Sequence, residues 1–370
     1  MELNQDAISF HPAHLPRRAA HSMLRLVRSL FHLQQLPEYR ARIRADIPEV
    51  ARFDPGHDAV MMGYDFHLGP DGPRLIEVNT NAGGAMYAYR AAFPDHPDNS
   101  LPGGRFIERF LATFHEEWRR FAMTTRPLQR IAIIDETPAD QGLYPEMATL
   151  CNLFQSNGID CSIHDPGDLE TDTTGVRING ERIDLVYNRH CDFYLEQPDM
   201  AGLRAAYLAK TVCLSPNPFV YGLLADKRRM ALWSDEEEMA GLPLSEKTTQ
   251  ILRETIPRST LLADLDPEEL WTRRKSLIFK PVSRFGGKGV LAGRSISRKR
   301  FRELDPAGTL VQDEVPPSLT ETAEEDFKTD FRLFVYRNHC IGIAARLYRG
   351  QVTNLRTPGG GFARVQIDAD

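Results

Sequence analysis

The segment Ile278-Phe-Lys-Pro-Val-Ser-Arg-Phe-Gly-Gly-Lys-Gly-Val290 does most to decide the fold. It predicts a short strand that ends on Lys280, followed by a loop rich in glycine. Glycines allow backbone N–H groups to approach phosphate oxygens closely, and a lysine ammonium supplies a compact positive charge. The residue order is not that of a Walker A loop. Two interpretations stay open: a phosphate-binding loop and an ordinary glycine-rich hairpin turn.

A second polar pattern lies about 200 residues earlier, in Tyr64-Asp-Phe-His-Leu-Gly-Pro-Asp-Gly-Pro-Arg-Leu-Ile-Glu-Val-Asn79. Its Gly, Pro and Asp residues predict a hairpin turn between two strands. Glu77 and Asn79 are two residues apart and so share one face of the second strand, and Asp65 on the first strand can lie opposite them. Such oxygen ligands suit Mg²⁺ beside phosphates. A solvent-facing strand edge explains Glu77 alone equally well.

The remaining sequence divides into three stretches that differ in their predicted helices and strands. Helical periodicity predicts helices over residues 19–47 and 106–121. Short apolar strands at 130–135, 159–164 and 183–188 alternate with helical stretches, which predicts a small parallel sheet of the Rossmann-like kind. No GxGxxG follows its first strand. Further strands are predicted at 276–281, 309–315, 331–336 and 341–347. These changes place the domain boundaries near residues 125 and 222, giving units of 1–125, 126–222 and 223–370.

Composition excludes several classes of protein. The chain has 370 residues, 42% hydrophobic and 26% charged, which is typical of a globular protein. Its 45 basic and 51 acidic residues give a formal charge of −6, so neither nucleic acid nor an anionic membrane is the expected partner. The five cysteines are widely spaced and form no CxxC pair, which argues against zinc ribbons and a disulfide framework. No apolar run reaches the roughly 20 residues of a membrane span. We expect a cytoplasmic protein.

Three more motifs complete the pattern. They are Ala225-Asp-Lys-Arg-Arg-Met-Ala-Leu-Trp233, Gln312-Asp-Glu-Val315, and the arginine-bearing pair Asp330-Phe-Arg-Leu-Phe334 and Ala344-Ala-Arg-Leu-Tyr348. With the two segments above, in this order, the chain resembles the circularly permuted ATP-grasp ligases, and among them glutathionylspermidine synthetase and eukaryotic-type glutathione synthetase. Ordinary ATP-grasp proteins carry the Glu-x-Asn strand after the phosphate loop, whereas here it comes first. The resemblance implies an α/β (α+β) ATP-grasp fold with a Rossmann-like substrate domain, and ATP and Mg²⁺ as cofactors.

The resemblance also implies roles for individual residues. The Mg²⁺ ligands would be Asp65, Glu77 and Asn79. The nucleotide would be bound by two lysines, by the glycine-rich loop and by a hinge that holds the adenine, namely Lys227, Lys280, Ser283, Gly286, Gly287, Lys288, Gly289, Gln312, Asp313, Glu314 and Val315. Arg332, Arg346 and Lys280 would act in catalysis. For the hinge, an edge strand stopped by Pro316 and Pro317 is an open alternative.

The substrate residues are the least constrained by the resemblance. Candidates are Asn81, Asn188, Arg189 and Asn354. Asn188 and Arg189 end the third predicted parallel strand, where open α/β sheets bind ligands, and Arg189 could hold a carboxylate bidentately. An arginine exposed at a strand end is an equally good interpretation. Where glutathione synthetases have an acidic residue after the Lys-Pro pair, this chain has Arg284 and Phe285. The third metal ligand is then Asp65 or missing.

These residues favour an ATP-dependent ligase that joins a carboxylate to an amine through an acylphosphate. The substrates would be small molecules such as an amino acid or a short peptide, and the sequence leaves a homodimer open. Two alternatives remain: a small-molecule kinase that stops after phosphoryl transfer, and an ATP-binding scaffold of the same fold that has no turnover.

Overall fold

The computed structural model describes residues 3–94, 104–172, 174–284, 286–323 and 325–369, with no side-chain detail at 104 and 105. Phe285, in the glycine-rich segment, therefore lies outside the described residues. The helices are α1 Arg17–Leu33, α2 Pro37–Ile43, α3 Ala85–Ala92, α4 Gly104–Ala122, α5 Tyr144–Ser156, α6 Ala201–Leu208, α7 Pro218–Val220, α8 Arg228–Ser234, α9 Glu236–Ala240, α10 Glu246–Thr255, α11 Pro267–Arg273 and α12 Arg298–Arg302.

The strands are β1 Ala13–Pro16, β2 Met62–Gly69, β3 Gly72–Asn79, β4 Arg130–Ile134, β5 Asp160–His164, β6 Glu170–Asp172, β7 Gly175–Ile178, β8 Glu181–Arg182, β9 Leu185–Asn188, β10 Cys213–Ser215, β11 Ser259–Leu261, β12 Leu277–Pro281, β13 Leu291–Ala292, β14 Thr309–Asp313, β15 Ser318–Thr320, β16 Phe327–Tyr336, β17 His339–Tyr348, β18 Gly361–Ala363 and β19 Val365–Asp368. Helix and sheet are thus mixed along the whole chain.

The largest sheet, called the large sheet below, has the order β18-β17-β16-β2-β3, with β15 paired to β16. All of its pairs are antiparallel. The β2–β3 hairpin turns at Gly69–Gly72, as the Pro-Asp-Gly pattern predicts. Its register shifts after Asp65, because Asp65 pairs with Glu77 and Phe66 pairs with Leu75. The extra residue, Ile76, forms a β-bulge whose ladder groups are partly released.

Two smaller sheets complete the frame of the site. The small sheet, β11-β14-β12-β13, is antiparallel and includes the strand that ends near Lys280. The parallel sheet, β10-β9-β4-β5, is Rossmann-like in its alternation of strands and helices, as the sequence predicts. Helices α3, α4 and α5 pack together with this sheet in one apolar core, and α6 belongs to a second core that includes other residues of its strands.

The first predicted helix, over residues 19–47, is broken into two. The apolar face of α1 is buried with the large sheet, including Met23, Leu26 and Leu30. Leu36 then adopts an extended conformation, since the residue before a proline is sterically excluded from the helical region, and Pro37 begins α2. The helix predicted over 106–121 is α4.

The two ends of the described chain meet. Strand β1 pairs in parallel with β19, and Ala13 lies opposite Val365.

No helix in the described ranges is both long and apolar enough to cross a bilayer. All five cysteines are unpaired.

Candidate active site

The site is a cleft of about 1290 Å³ between the large sheet, the small sheet and the carboxyl ends of the parallel strands β4 and β9. Of the residues that sequence analysis singled out, those that line it are Asp65, Glu77, Asn79, Asn81, Arg189, Lys227, Lys280, Ser283, Gly286, Gly287, Lys288, Gln312, Asp313, Glu314, Val315, Arg332, Arg346 and Asn354. Asn188 and Gly289 are not part of the lining.

A band of charged residues crosses one face of the large sheet at the floor of the cleft. Three cross-strand pairs build it: Arg346 opposite Asp330, Arg332 opposite Asp65, and Asp65 opposite Glu77. Side chains of directly opposed residues share a face, so the ladder itself brings these groups together. The five residues come from two pairs of consecutive strands, β2–β3 and β16–β17, and the two pairs lie far apart in the sequence.

Asp65 is at the centre of this band. Arg332 binds its carboxylate bidentately, at 2.7 Å from Nε and 2.6 Å from a terminal nitrogen, and Arg346 lies 3.0 Å away. Burial alone would raise the pKa of Asp65, but the two guanidinium groups outweigh burial and lower the pKa to about 2. Arg346 is held from its other side by Asp330 at 2.6 Å. Asp65 is therefore a fixed anion whose oxygens are already in contact with cations.

Lys280 is buried and held by two oxygens. Its Nζ donates to the carbonyl of Ile76 at 2.9 Å and to Oε1 of Gln312 at 2.7 Å. The Ile76 carbonyl belongs to the bulge, so a ladder irregularity in β3 supplies a ligand to a lysine on β12. Burial lowers the pKa of Lys280 to about 8, although Glu77 opposes the shift. This ammonium is thus poised to lose its charge slightly above neutral pH.

The side chain of Gln312 is held in place to accept from this lysine. Ser259 donates its hydroxyl proton to the carbonyl of Pro257 and accepts from Nε2 of Gln312 at 3.0 Å. The amide oxygen is thereby turned toward Lys280. The sequence predicts only that the backbone of Gln312 holds the adenine, so this side-chain role is an addition to that interpretation.

Lys227 joins the two walls of the cleft. It precedes α8, and its Nζ lies 2.9 Å from Oε1 of Glu77 and donates to the carbonyl of Arg284 at 2.7 Å. Burial would raise the pKa of Glu77, but Lys227 and Lys280 outweigh it and the pKa is lowered. Glu77 and the start of the glycine-rich loop are therefore connected through one ammonium group.

The oxygen atoms available to a divalent cation come from β3. Glu77 and Asn79 share one face of the strand and line the cleft, and both offer the oxygen donors that Mg²⁺ prefers. Asp65 is directly opposite but is bound by the two arginines. Within the described ranges, no group of three His, Cys, Asp or Glu side chains is arranged to hold a metal by itself. The residues fit a cation bound by Glu77 and Asn79 and completed by phosphate oxygens.

The segment after β3 connects this floor to the parallel sheet. Arg332 donates to the carbonyl of Gly83 at 2.9 Å, and Arg189 donates to the carbonyl of Asn81 at 2.7 Å. The buried Glu146 accepts from the backbone N–H of Gly84 at 2.8 Å and caps the start of α3. The guanidinium N–H groups of Arg189 therefore largely hold the backbone of this segment.

The other predicted substrate residues have local partners. Asn188 is buried, and its side-chain oxygen accepts from the backbone N–H of His190 at 3.0 Å. Asn354 lines the cleft, but its amide bonds its own loop, donating to the carbonyl of Arg349 at 2.8 Å. Asn81 donates to the carbonyl of Arg189 at 3.2 Å.

Sequence reasoning missed several cleft residues. His67 and Asp330 each stand two residues from a predicted site residue on the same strand, so strand alternation contained the signal for both. His190, on the other hand, follows β9 with no periodic pattern to mark it. Glu146 does not line the cleft, but it is buried on α5 and accepts from the backbone at the start of α3, an arrangement that no local pattern reveals.

Comparison with solved structures agrees with this architecture. A glutathione synthetase-like effector, GSS30, from Globodera pallida in its apo form superposes with a TM-score of 0.59 at 11% identity, covering 98% of this chain and 90% of the other. A putative γ-glutamylcysteine synthetase from Methylobacillus flagellatus KT gives a TM-score of 0.55 at 11% identity, covering 94% and 88%. The chain has the glutathione synthetase-like ATP-grasp fold. The mixed α/β, glutathione synthetase-like fold that the sequence predicts is thus confirmed.

This ATP-grasp likeness concerns the fold. No family model and no curated protein sequence matches the chain. At 11% identity, the chemistry of the cleft depends on this chain's own side chains.

Proposed function

We propose that the protein is an ATP-dependent ligase that joins a carboxylate to an amine through an acylphosphate, using Mg²⁺. One observation carries the proposal: a single cleft places Lys227, Lys280 and a pair of arginines around Glu77 and Asn79. Concentrated cations beside two hard oxygen ligands form a suitable environment for a magnesium-bound triphosphate. The glutathione synthetase-like fold supports a ligase.

The chemistry assigned to the chain is mostly positioning and charge stabilisation. The substrate carboxylate attacks the γ-phosphorus, the bond to the β-phosphate oxygen breaks, and ADP and an acylphosphate form. Lys227 and Lys280 would offset charge on the phosphates, and Mg²⁺ held by Glu77 and Asn79 would supply further positive charge there. An amine then attacks the acyl carbon, inorganic phosphate leaves, and the amine loses a proton. Arg346 or Arg332 would stabilise the oxyanion between these steps.

We also propose that the strand order is circularly permuted and that 1–125, 126–222 and 223–370 act as structural units. Support comes from the large sheet, in which β2 and β3 are inserted beside β16 although they precede the whole parallel sheet. The segment from Ser283 to Gly289 would cover the triphosphate and exclude water that would hydrolyse the acylphosphate. The substrates would be an amino acid or short peptide, and the unpaired cysteines support a cytoplasmic location.

The test is ADP release with amino acids and short peptides as carboxylate donors, with and without amines. Amine-dependent ADP release with an amide product would establish the ligase. A stable phosphorylated product formed without an amine would replace it with the kinase, and nucleotide binding without any turnover would replace it with the scaffold.

Variants assign that activity to the cleft. Glu77→Ala and Lys280→Ala should each abolish Mg²⁺-dependent turnover, because each removes a charge that contacts the nucleotide–metal complex. Lys247→Ala, at an exposed position on α10, is the matched control and should keep full turnover. Full activity in either cleft variant would contradict the assignment.

A further inference from the structure

One end of the cleft is apolar and borders the hinge. Ile278 on β12 and Ala292 on β13 are paired across the small sheet, and both line the cleft. Leu319 on β15 also lines it and is 60% exposed. Apolar side chains of this kind suit a flat heteroaromatic ring.

The hinge backbone has few donors left to read such a ring. The N–H of Asp313 donates to the carbonyl of Arg258 at 2.9 Å, and that of Glu314 donates to the carbonyl of Ser276 at 2.8 Å. Pro316 and Pro317 have no N–H at all. Between Asp313 and Pro317 this leaves the N–H of Val315 for the edge of a base, while an exocyclic amino group on that base needs an acceptor from elsewhere.

His67 lies beside this hinge. It is two residues after Asp65 on β2 and so faces the same cleft, but toward the hinge end. Its Nδ1 is 2.6 Å from the carbonyl oxygen of Val315. A carbonyl oxygen can only accept, so Nδ1 carries the proton, and in the neutral ring Nε2 is left as an acceptor. Nε2 makes no hydrogen bond to any of the described residues.

We propose that His67 selects the nucleobase: Nε2 accepts a hydrogen bond from the exocyclic amino group of adenine, while Nδ1 keeps the ring fixed to the hinge. A 6-oxo purine would place a carbonyl oxygen against this acceptor, and the two lone pairs would repel. A purine without a 6-substituent would leave the acceptor unpaired. The inference rests on the proposed use of ATP and adds a residue that determines which triphosphate is used.

The test is calorimetric binding of three triphosphates in the presence of Mg²⁺: ATP, purine riboside triphosphate, which lacks the amino group, and ITP, which carries an oxygen in its place. Measurements at about pH 8 keep the imidazole neutral, because an ordinary histidine pKa is about 6.5. We expect the wild-type protein to bind ATP about tenfold more tightly than purine riboside triphosphate, and ITP more weakly still.

The variant His67→Asn tests whether His67 selects the base or only supports the fold. The asparagine amide nitrogen can replace Nδ1 and still donate to Val315, but no atom stands where Nε2 was. The variant should keep its thermal midpoint and bind ATP and purine riboside triphosphate equally, within about twofold. His67→Phe, which loses both nitrogens, should show the same loss of selection. His21→Asn, at an exposed position on α1, should leave the selection unchanged.

The outcomes distinguish this inference from the proposed function. Failure of the wild type to bind any of the three triphosphates would overturn the function and the inference together. Tight binding of ATP with no preference over purine riboside triphosphate would overturn the inference alone, as would a His67→Asn variant that keeps the wild-type preference.

Discussion

At the scale of single residues, the Asp65 carboxylate shows how the site is held. Two guanidinium groups and one carboxylate are buried together, so each depends on its partners for the solvation that water no longer supplies. Removing one member leaves the others charged and incompletely paired. The floor of the cleft is thus rigid because breaking the band is costly.

Asp65→Asn should lower the free energy of unfolding by about 3 kcal/mol, since it leaves the buried Arg332 without a charged partner and Arg346 paired with Asp330 alone. Urea denaturation monitored by fluorescence measures this. Asp54→Asn is the matched control: it breaks the exposed pair with Arg40 and should cost less than about 1 kcal/mol. A double-mutant cycle with Arg332→Met should show strong coupling between the two unfolding free energies. Additive effects would contradict the pairing of Asp65 with Arg332.

Lys280 predicts the pH dependence of nucleotide binding. Its folded pKa of about 8 lies below the ordinary value, so the ammonium is present below that pH and is lost as the pH rises through it. Attraction for phosphate should therefore weaken from about pH 7 to pH 9, although ATP itself loses no negative charge over this range. Calorimetric dissociation constants across this window provide the measurement.

Lys280→Met is the control for this effect. Below about pH 8 it should bind ATP more weakly than the wild type, and the change between about pH 7 and pH 9 should disappear with the titrating ammonium. If Lys280→Met kept the wild-type change in ATP affinity between about pH 7 and pH 9, the pH dependence would belong to another group.

At the scale of elements, the sequence was informative where the pattern is local. The β2–β3 hairpin, the strands β4, β5 and β9, and helix α4 all follow from alternation, helical periodicity and turn residues. Alternation also placed Glu77 and Asn79 on one face of β3. What the sequence could not reveal is pairing between distant segments: the arginines that bind Asp65 come from β16 and β17, and β1 pairs with β19. The bulge at Ile76, which frees a carbonyl for Lys280, also has no local signal.

The entry into α3 gives an element-scale prediction. Gly84 has φ +94°, and a Cβ there would lie 1.9 Å from the ring of Phe362. Gly84→Ala should therefore lower the free energy of unfolding by well over 1 kcal/mol and disturb the segment that follows Asn79. Thermal or chemical denaturation measures the loss.

Gly158, after α5, is the matched control. It also has a positive φ, +77°, but a Cβ there would meet no atom within 4 Å. Gly158→Ala should lower the free energy of unfolding by only about 1 kcal/mol, which is the cost of placing a residue with a Cβ in the left-handed region. Equal losses at the two positions would show that the contact with Phe362 is not what requires glycine at residue 84.

At the scale of the whole molecule, Lys227 bridges the large sheet and the glycine-rich loop through Glu77 and Arg284. Lys227→Met should release the loop and remove a cation from the phosphate site. Hydrogen exchange in peptides spanning residues 283–290 should become several-fold faster, and ATP affinity should fall. Lys247→Met, exposed on α10, should change neither measurement. Unchanged exchange in Lys227→Met would show that the bridge does not hold the loop.

The strand order of the large sheet also has a consequence for how the protein is made. Strands β2 and β3 leave the ribosome long before β16 to β18, with about 250 residues between them. At about 5–20 residues per second, the gap lasts roughly 12–50 s. Throughout that time one edge of β2 is unpaired and Asp65 lacks its arginines. The floor of the cleft is therefore assembled only after β16 and β17 have been made, and until then the free edge of β2 is open to pairing with other chains.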